Sequence, residues 1–445
     1  MLLLLLLGAS VVYAVALVPG LVQNHGLPNL VSAHHGWQQV NLTAQYEFGL
    51  PPPPFSDRHL EPNATIVVLI SSLRETRLAS TLVSLFTKAK HPSRVFAAVV
   101  QQNAPEDEDV LVEYCREMLL INHTECLYEA NIRITRLLHT EAKGPVYARA
   151  LGNHLVDFDR DEFCMQIDAH TLVVQDWDSL LLEDWGKAEN EFAILTTYPA
   201  NSVDLGRNGN GMWTMPHLCC VNFDHVGILT NCQAKAAANL QRPLLSPLWA
   251  AGFSLSKCHA ERLVPNDIKL VGVFAGEEYA RGVRLWTHGY DFYSNTRPWI
   301  ATYYGKDKGG KEFNWDDSNL KQSKLRMQTL LRMPHSDQSA SAIHALLGAD
   351  LGPNRTLQQY IDFTGINPHV GEKHTRSQSR CAPVYVPWYV PPATTAASRF
   401  LRHGSSTFVE AEWLKWLLVP CCVLFLGLGF RLLLLESQKR RRRRD

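Results

Sequence analysis

The chain has 445 residues, of which 46% are hydrophobic and 19% are charged. This length is enough for one large domain with appendages, and it is well above the size at which a core becomes hard to build. The 43 basic and 43 acidic residues give a formal net charge of zero. The charge balance therefore does not favour a nucleic-acid partner, and we expect none.

The first part of the chain has the composition of an export segment followed by a stem. Residues 1–22 are apolar and contain no acidic or basic side chain. They predict a signal peptide or signal-anchor, although the usual basic residues before the apolar run are absent. Residues 23–64 include a run of four prolines at 51–54 and few periodic apolar positions, which predicts an extended stem.

Strand and helix patterns then alternate from Thr65 onward. Short apolar runs predict buried strands at 65–70, 95–101, 132–138 and 163–167. Apolar residues at helical spacing predict helices at 77–90, 110–120 and 145–158. This order predicts an α/β domain over 65–380, with an open, Rossmann-like sheet and helices on both faces. Ligands of such sheets bind at the carboxyl ends of the strands.

The end of the chain has the pattern of a membrane anchor. Residues 381–412 are interpreted as a juxtamembrane linker, 413–436 as a transmembrane helix and 437–445 as a basic cytoplasmic tail. Residues 416–435 are interrupted only by Arg431, and about 20 apolar residues cross a bilayer core. The basic run after them is expected to stay cytoplasmic. The alternative is a buried core helix followed by a solvated tail.

Potential glycosylation sites lie between the two apolar ends. Asn41, Asn63, Asn122 and Asn354 each begin an Asn-x-Ser/Thr triplet without proline in the middle. Four such triplets favour a body that faces the lumen of the secretory pathway. We therefore expect an ER or Golgi membrane location.

Eight of the ten cysteines lie in the body of the chain, and none forms a Cys-x-x-Cys pair. Their even number suits disulfides in an oxidising compartment, and a Cys115–Cys126 bond would close a short loop. Buried free thiols are an equally good interpretation at this stage.

The segment Asp168-Ala-His170 is the strongest candidate for chemistry. It follows an apolar strand, and side chains two residues apart point to the same side of an extended chain. A carboxylate with an imidazole suits Mn²⁺, which would neutralise the diphosphate of a sugar nucleotide. His288 is a third potential ligand. The alternative is a capped strand end with a surface histidine.

Further candidates surround this segment in the sequence. Glu277 and Glu278 could orient a hydroxyl group, or could be favourable acidic residues in the first turn of a helix. Trp249 suits either a sugar-facing wall or tight core packing. Arg74 follows the first strand, and Arg149 lies in a helix whose N-terminus could favour a diphosphate. Solvated arginines are the alternative for both.

Several motifs in order give the chain a family resemblance. The motifs are ISSLRE at 70–75, GPVYAR at 144–149, QIDAH at 166–170, WD at 177–178, WAAGF at 249–253, AGEE at 275–278, RLWTHGYD at 284–291, RTL from 355 and FTGI at 363–366. The chain resembles the retaining N-acetylglucosaminyltransferases that attach α-GlcNAc to polypeptide hydroxyl groups. These include trypanosome Golgi mucin-type enzymes and cytoplasmic hydroxyproline enzymes of social amoebae. The resemblance covers about two-thirds of the chain.

The resemblance implies a GT-A fold, a UDP-GlcNAc donor, Mn²⁺ or another divalent cation, and retention of configuration. It also implies roles for individual residues. Asp168, His170 and His288 would be metal ligands; Glu277 and Glu278 catalytic residues; and Arg74, Arg149, Trp249 and Asp291 substrate-binding residues. Two features depart from the family pattern: Leu73 stands where an aromatic residue is usual, and a C-terminal transmembrane segment is not typical.

We therefore expect an enzyme that transfers GlcNAc to Ser or Thr hydroxyl groups of a polypeptide acceptor, with its catalytic domain in the lumen. One alternative is a hydroxyproline GlcNAc-transferase that faces the cytosol. Another is a catalytically inactive, sugar-binding membrane protein.

Overall fold

The computed structural model describes residues 38–39, 50–122, 124–205, 214–224, 227–305, 317–334, 336–370, 381 and 384–385. All of them belong to one unit, Met1–Val386. The predicted export segment 1–22, transmembrane segment 413–436 and basic tail 437–445 lie outside the described residues. Within the described part, no helix combines the length and the apolar character needed to cross a bilayer.

Short strands are distributed along the whole described chain. They are β1 (Gln38–Gln39), β2 (Ile66–Leu73), β3 (Val95–Asn103), β4 (Ile132–Leu138), β5 (Phe163–Asp168), β6 (Thr171–Val173), β7 (Ala193–Thr196), β8 (Ala200–Asn201), β9 (Thr214–His217), β10 (Val221–Phe223), β11 (Leu229–Asn231), β12 (Lys235–Ala238), β13 (Leu244–Ser246), β14 (Phe253–Lys257), β15 (Asp291–Ser294), β16 (Ile300–Thr302) and β17 (Val384–Tyr385).

Helices separate most of the longer strands. They are α1 (Leu78–Thr87), α2 (Val110–Asn122), α3 (Pro145–Gly152), α4 (Trp177–Lys187), α5 (His259–Leu263), α6 (Glu277–Thr287), α7 (Asp317–Leu330), α8 (Ala340–His344) and α9 (Leu357–Thr364).

An eight-stranded sheet with the order β13-β15-β7-β14-β5-β2-β3-β4 forms the centre of the structure. The four strands predicted from the sequence, β2 to β5, lie side by side in the sheet and all run parallel. β14 is antiparallel to both β5 and β7, so β5 and β7 run in the same direction. The predicted α/β architecture with one large sheet is confirmed, and the sheet is mixed rather than all parallel.

Both faces of the central sheet are covered, as alternation along β2 shows. Ile66, Val68 and Ile70 belong to the same buried cluster as the apolar residues of α1, α2 and α4. Val67 and Leu69 face the opposite side. On that side Gly152 of α3 packs against Leu69, because a Cβ atom placed on Gly152 would lie 3.7 Å from Leu69 Cδ2. The predicted covering of both faces is therefore confirmed.

Residues outside the predicted catalytic domain contact it at both ends. In the predicted stem, the Phe55 amide donates to Glu191 at 2.9 Å, and the His59 ring packs edge-on against Trp185. In the predicted linker, Cys381 bonds to Cys219, and β17 pairs with β12 and β1. The body of the protein therefore includes parts of both segments.

All eight cysteines of the body form disulfides. The pairs are Cys115–Cys126, Cys164–Cys258, Cys219–Cys381 and Cys220–Cys232. The first is the short loop that the sequence indicated, and the interpretation as free thiols is wrong. Four disulfides are typical of proteins that fold in an oxidising compartment.

A buried ion pair fixes α4 against the sheet. Asp178 and Arg94 are 0% and 3% exposed and approach to 2.8 Å. The Asp178 carboxylate also accepts hydrogen bonds from the backbone amides of Lys90 and His91. The WD motif at 177–178 thus joins α4 to the loop between α1 and β3, and its function is structural.

Asp178→Ala is expected to lower the free energy of unfolding by about 3–5 kcal/mol, because it leaves Arg94 buried without its counter-charge. Chemical denaturation of the variant measures this change. Glu108→Ala, which removes an exposed partner of Arg116, should cost less than about 1 kcal/mol. Equal effects of the two substitutions would show that the buried pair does not stabilise the fold.

Candidate active site

A cleft of about 330 Å³ opens where β2, β3 and β5 end. The residues that line it include Ser71, Ser72, Leu73, Glu75, Gln102, Gly144, Arg149, Asp168, His170, Gly272 and Phe274. The cleft therefore lies at the carboxyl edge of parallel strands, where the sequence predicted a ligand.

Asp168 and His170 both face this cleft, with side chains that are 34% and 32% exposed. The sequence analysis placed the two side chains on the same side of an extended chain. In the structure the chain between them is not extended, because Ala169 and His170 form a turn. Hydrogen bonds from Thr171 Oγ1 to Asp168 O and from Thr81 Oγ1 to Ala169 O hold this turn, at 2.8 and 3.0 Å. The two predicted ligands are thus brought together by a turn.

Glu75 is a site residue that the sequence did not single out. Its Oε2 lies 3.2 Å from His170 Nδ1. The hydrogen bond to Glu75 is the main cause that raises the pKa of His170, and the nearby Asp168 charge adds to it. The bond also fixes the orientation of the imidazole ring. The sequence feature that could have identified Glu75 is its position, because it is a carboxylate that follows β2 at the carboxyl edge of the sheet.

Arg149 connects the two acidic parts of the site. Its guanidinium contacts both carboxylate oxygens of Glu277, at 2.5 and 2.6 Å, and reaches Asp168 Oδ1 at 3.4 Å. Burial lowers the pKa of Arg149, but the charges of Glu277 and Asp168 outweigh burial and the pKa is raised overall. The guanidinium therefore stays charged beside the cleft.

A glycine lets the helix of Arg149 begin at the cleft. Gly144 has φ +97°, and a Cβ placed on it would lie 3.2 Å from the backbone nitrogen of Gly272. The Gly272 amide donates to Lys143 O at 2.8 Å. Only glycine accommodates both the positive φ and this close backbone approach without strain. The GPVYAR motif thus positions the N-terminus of α3.

Glu277 and Glu278 occupy the first turn of α6 and have different environments. Glu277 is 3% exposed and pairs with Arg149. Glu278 accepts hydrogen bonds from the Ala251 amide at 3.0 Å and from the Tyr198 hydroxyl at 2.8 Å. Burial raises the pKa of Glu278 to about 7. Tyr198, which follows β7, is a second residue that the sequence did not single out.

His288 and Asp291 do not reach the cleft. His288 follows the last residue of α6, so it lies roughly 16 Å from Glu277 along the helix at 1.5 Å per residue. Its Nδ1 contacts Arg284 O at 2.7 Å. Asp291 begins β15 beside Ala193 of β7, at the edge of the sheet where these parallel strands start and not where the cleft opens. It pairs with Arg355 at 2.7 Å. The structure does not bring His288 to Asp168 and His170.

Arg74 and Trp249 are also absent from the lining of the cleft. Arg74 pairs with Asp107 and Glu106, at 2.7 and 2.8 Å. Trp249 is 1% exposed, and its indole nitrogen donates to Ser254. The alternative interpretations from the sequence describe both positions: Arg74 is an arginine at the surface, and Trp249 is packed in the core.

Among the residues that the structure describes, Asp168 and His170 are not part of a group of three potential ligand side chains. Among the described residues, one group of three potential ligand side chains lies close together, formed by Cys115, Cys126 and Glu129. Its thiols are joined in a disulfide, so it does not offer thiolate ligands.

A family model described as Glycosyltransferase (GlcNAc) matches residues 65–119 and 112–370, which together are more than half of the chain. The chain belongs to this family. The matched region includes every residue that the sequence assigned to a site. No curated protein matches the chain.

Three solved structures are similar to this one at low identity. GalNAc-T7, solved with UDP, GalNAc and Mn²⁺, has 13% identity and a TM-score of 0.44 over 68% of this chain and 56% of its own. The mannosyltransferase PcManGT from Pyrobaculum calidifontis, in complex with GDP-Man and Mn²⁺, has 11% identity and a TM-score of 0.36 over 82% and 85%. S. aureus TarS 1–349 has 10% identity and a TM-score of 0.35 over 64% and 70%. TM-scores below 0.5 do not inform a substrate assignment for this chain.

The pKa of Glu278 gives a testable pH dependence. Burial raises it from the ordinary 4.5 to about 7, so the folded state holds this proton more tightly than the unfolded state. Ionisation of Glu278 therefore costs stability: the cost is absent below pH 4.5, grows as the pH rises and is complete above pH 7. Between pH 5 and pH 8, Glu278→Gln should gain on the order of 2 kcal/mol relative to the wild type.

Unfolding free energies in metal-free buffer at the two pH values measure this gain. Glu129→Gln, at an exposed position, is the matched control and should keep the pH dependence of the wild type. A difference between Glu278→Gln and wild type that does not change with pH would contradict the prediction.

Proposed function

We propose that this protein transfers N-acetylglucosamine from UDP-GlcNAc to Ser or Thr hydroxyl groups of polypeptides, with a divalent cation such as Mn²⁺ and with retention of configuration. Family membership over 65–370 supports glycosyl transfer. The observation that carries the proposal is the meeting of Asp168, His170 and Arg149 in one cleft at the carboxyl edge of the sheet.

The residues at the cleft fit a divalent cation. The Asp168 carboxylate and the His170 imidazole are donor types that Mn²⁺ accepts, and both are partly exposed to the cleft. Because His170 Nδ1 contacts Glu75, its Nε2 is the nitrogen left for the ion. Two protein ligands leave coordination positions for a diphosphate and water. When bound, the cation would offset the charge that develops on the departing diphosphate.

The remaining residues of the cleft are suited to hold a nucleotide diphosphate. The N-terminus of α3 and the Arg149 guanidinium both favour an anion at this position. Residues 71–73 and Gln102 form the wall at the ends of β2 and β3, where we place the nucleoside. Leu73 offers an apolar contact there in place of the aromatic ring usual in the family.

Glu277 and Glu278 act as positioning residues in this proposal. Arg149 covers the Glu277 carboxylate, and Glu278 is held by Tyr198 and Ala251. Both oxygens of each carboxylate accept a hydrogen bond from these groups. We therefore assign Glu277 to the orientation of Arg149, and Glu278 to the orientation of Tyr198.

The disulfides support a lumenal site for this activity over a cytosolic one. Two of them, Cys164–Cys258 and Cys219–Cys381, join distant parts of the body, and the other two close short loops. Disulfides are rare in reducing compartments. This favours acceptors of the secretory pathway over the hydroxyproline acceptors of a cytosolic enzyme. An ER or Golgi membrane location, with anchors at 1–22 and 413–436, completes the proposal.

Asp168→Ala should lower metal-dependent transfer by at least about 100-fold, because it removes the charged ligand of the cation. Mn²⁺-dependent release of UDP from UDP-GlcNAc in the presence of a Thr-containing peptide measures the loss. The variant should keep its unfolding temperature. Asp109→Ala, which removes an aspartate paired with Arg136 at the surface, should keep full activity. Mn²⁺-dependent activity retained in Asp168→Ala would refute the metal assignment.

The choice of donor and acceptor is tested with the full-length chain. It should turn over UDP-GlcNAc faster than UDP-GalNAc or UDP-glucose, and should modify Thr peptides in preference to hydroxyproline peptides. Product linkage determined by NMR should show the α configuration. Preference for hydroxyproline would favour the cytosolic alternative, and no turnover of any donor with Mn²⁺ would favour the inactive sugar-binding alternative.

A further inference from the structure

The strand order gives the direction in which a sugar nucleotide lies across the candidate active site. β14 adjoins β5 on the side away from β2 and β3. Because β14 is antiparallel to β5, its first residues lie at the same edge of the sheet as the carboxyl end of β5. With the nucleoside at the ends of β2 and β3 and the cation at Asp168, the donor sugar belongs over the start of β14.

Gly252, directly before β14, brings the backbone close to Asp168. A Cβ atom placed on Gly252 would lie 3.1 Å from Asp168 Oδ2 and 3.6 Å from Pro199 Cδ. The other carboxylate oxygen, Oδ1, is the one that Arg149 approaches. Asp168 thus faces α3 with one oxygen, and faces the segment of Gly252 and Pro199 with the other.

Tyr304 lies on this second side of Asp168. It follows β16, and the neighbouring Tyr303 donates a backbone hydrogen bond to His170 O at 3.1 Å. The Tyr304 hydroxyl donates to Pro199 O at 2.9 Å. Tyr304 therefore connects the turn of the two potential metal ligands to the segment that follows β7.

The charges around Tyr304 agree with this position. Partial burial raises the pKa of Tyr304 to about 12, and the negative charges of Asp168 and Glu278 add to the increase. Glu278 also accepts a hydrogen bond from Tyr198, the residue directly before Pro199. The same carboxylate thus fixes the segment to which the Tyr304 hydroxyl is bonded.

The ring of Tyr304 is accessible although its hydroxyl is held. The residue is 57% exposed, and the hydrogen bond to Pro199 restricts its rotation. The face of an aromatic ring is partly negative, so the weakly positive C–H groups on one side of a pyranose pack favourably against it. A side chain that is fixed before binding loses little conformational entropy on contact. Tyr304 therefore has the properties of a rigid platform for a sugar.

We propose that the Tyr304 ring packs against the pyranose of the donor and holds it beside Asp168. This inference rests on the function proposed above and deepens it. It extends the candidate site by one subsite, from the cleft toward β14, and assigns that subsite to a residue that the sequence analysis did not single out.

An acceptor peptide is the competing partner for this ring. We favour the sugar because the charge of Asp168 acts on Tyr304, and the donor sugar is bonded directly to the diphosphate that we place at the same carboxylate. A peptide need only reach the far side of that sugar.

Binding of UDP and of UDP-GlcNAc to the full-length chain, by titration calorimetry with Mn²⁺ and without acceptor, tests the proposal. Tyr304→Ala should weaken UDP-GlcNAc binding by about 10-fold or more. The same variant should bind UDP as the wild type does, because UDP has no sugar, and this also shows that the variant is folded. Tyr304→Phe keeps the ring and should retain most of the affinity. Phe55→Ala, at an exposed aromatic residue of the stem, should change neither affinity.

Transfer kinetics give a second readout. In Tyr304→Ala the KM for UDP-GlcNAc should rise by a similar factor, whereas the KM for a Thr-containing peptide should stay the same. Two results would overturn the proposal: an equal loss of UDP and UDP-GlcNAc affinity in Tyr304→Ala, and an increase in the KM for the peptide alone. The second result would assign Tyr304 to the acceptor.

The same titrations separate this inference from the proposed function. A wild-type protein that binds neither nucleotide in the presence of Mn²⁺ would overturn both. If the wild type binds both nucleotides and Tyr304→Ala binds UDP-GlcNAc equally well, only the role of Tyr304 is overturned and the proposed function stands.

Discussion

The contact of Arg149 with Asp168 and Glu277 is the interaction on which the candidate site depends. It joins three elements, because Arg149 lies on α3, Asp168 ends β5 and Glu277 begins α6. The single positive charge of Arg149 lies against two carboxylates, which offsets part of the cost of keeping these charges near the core. The same arrangement leaves the Asp168 side chain partly exposed to the cleft.

Buried charge continues behind this contact along α6. Glu277 and Glu278 begin the helix, and Arg281 and Arg284 follow on faces that are also buried. Arg149 lines the cleft and contacts Glu277, and Arg281 and Arg284 follow Glu277 along the same helix. Electrostatic interactions between these groups are strong because water is excluded from them.

Motifs that share a family pattern have separate tasks in this structure. GPVYAR and AGEE supply the Arg149–Glu277 contact, and QIDAH supplies the two potential ligands. The WD motif instead fixes α4 through the buried Asp178. The segment from Arg284 to Asp291 contains the end of α6 and the first residue of β15, which lies at the edge of the sheet opposite the cleft. Membership of a motif in the family pattern is therefore insufficient to assign a residue to chemistry.

The sequence by itself determined the parallel strands β2 to β5, the helices between them, and Asp168 and His170 at the end of the fourth strand. These features follow from local periodicity and from the rule that ligands bind at the carboxyl edge. Only the tertiary structure decided which remaining candidates join them. Arg149 and Glu277 meet although they are 128 residues apart in the chain, whereas His288 is carried away by the length of α6 and Asp291 by the direction of β15. Glu75 and Tyr198 entered the site in the same way, because side-chain contacts between distant segments leave no periodic trace in a sequence.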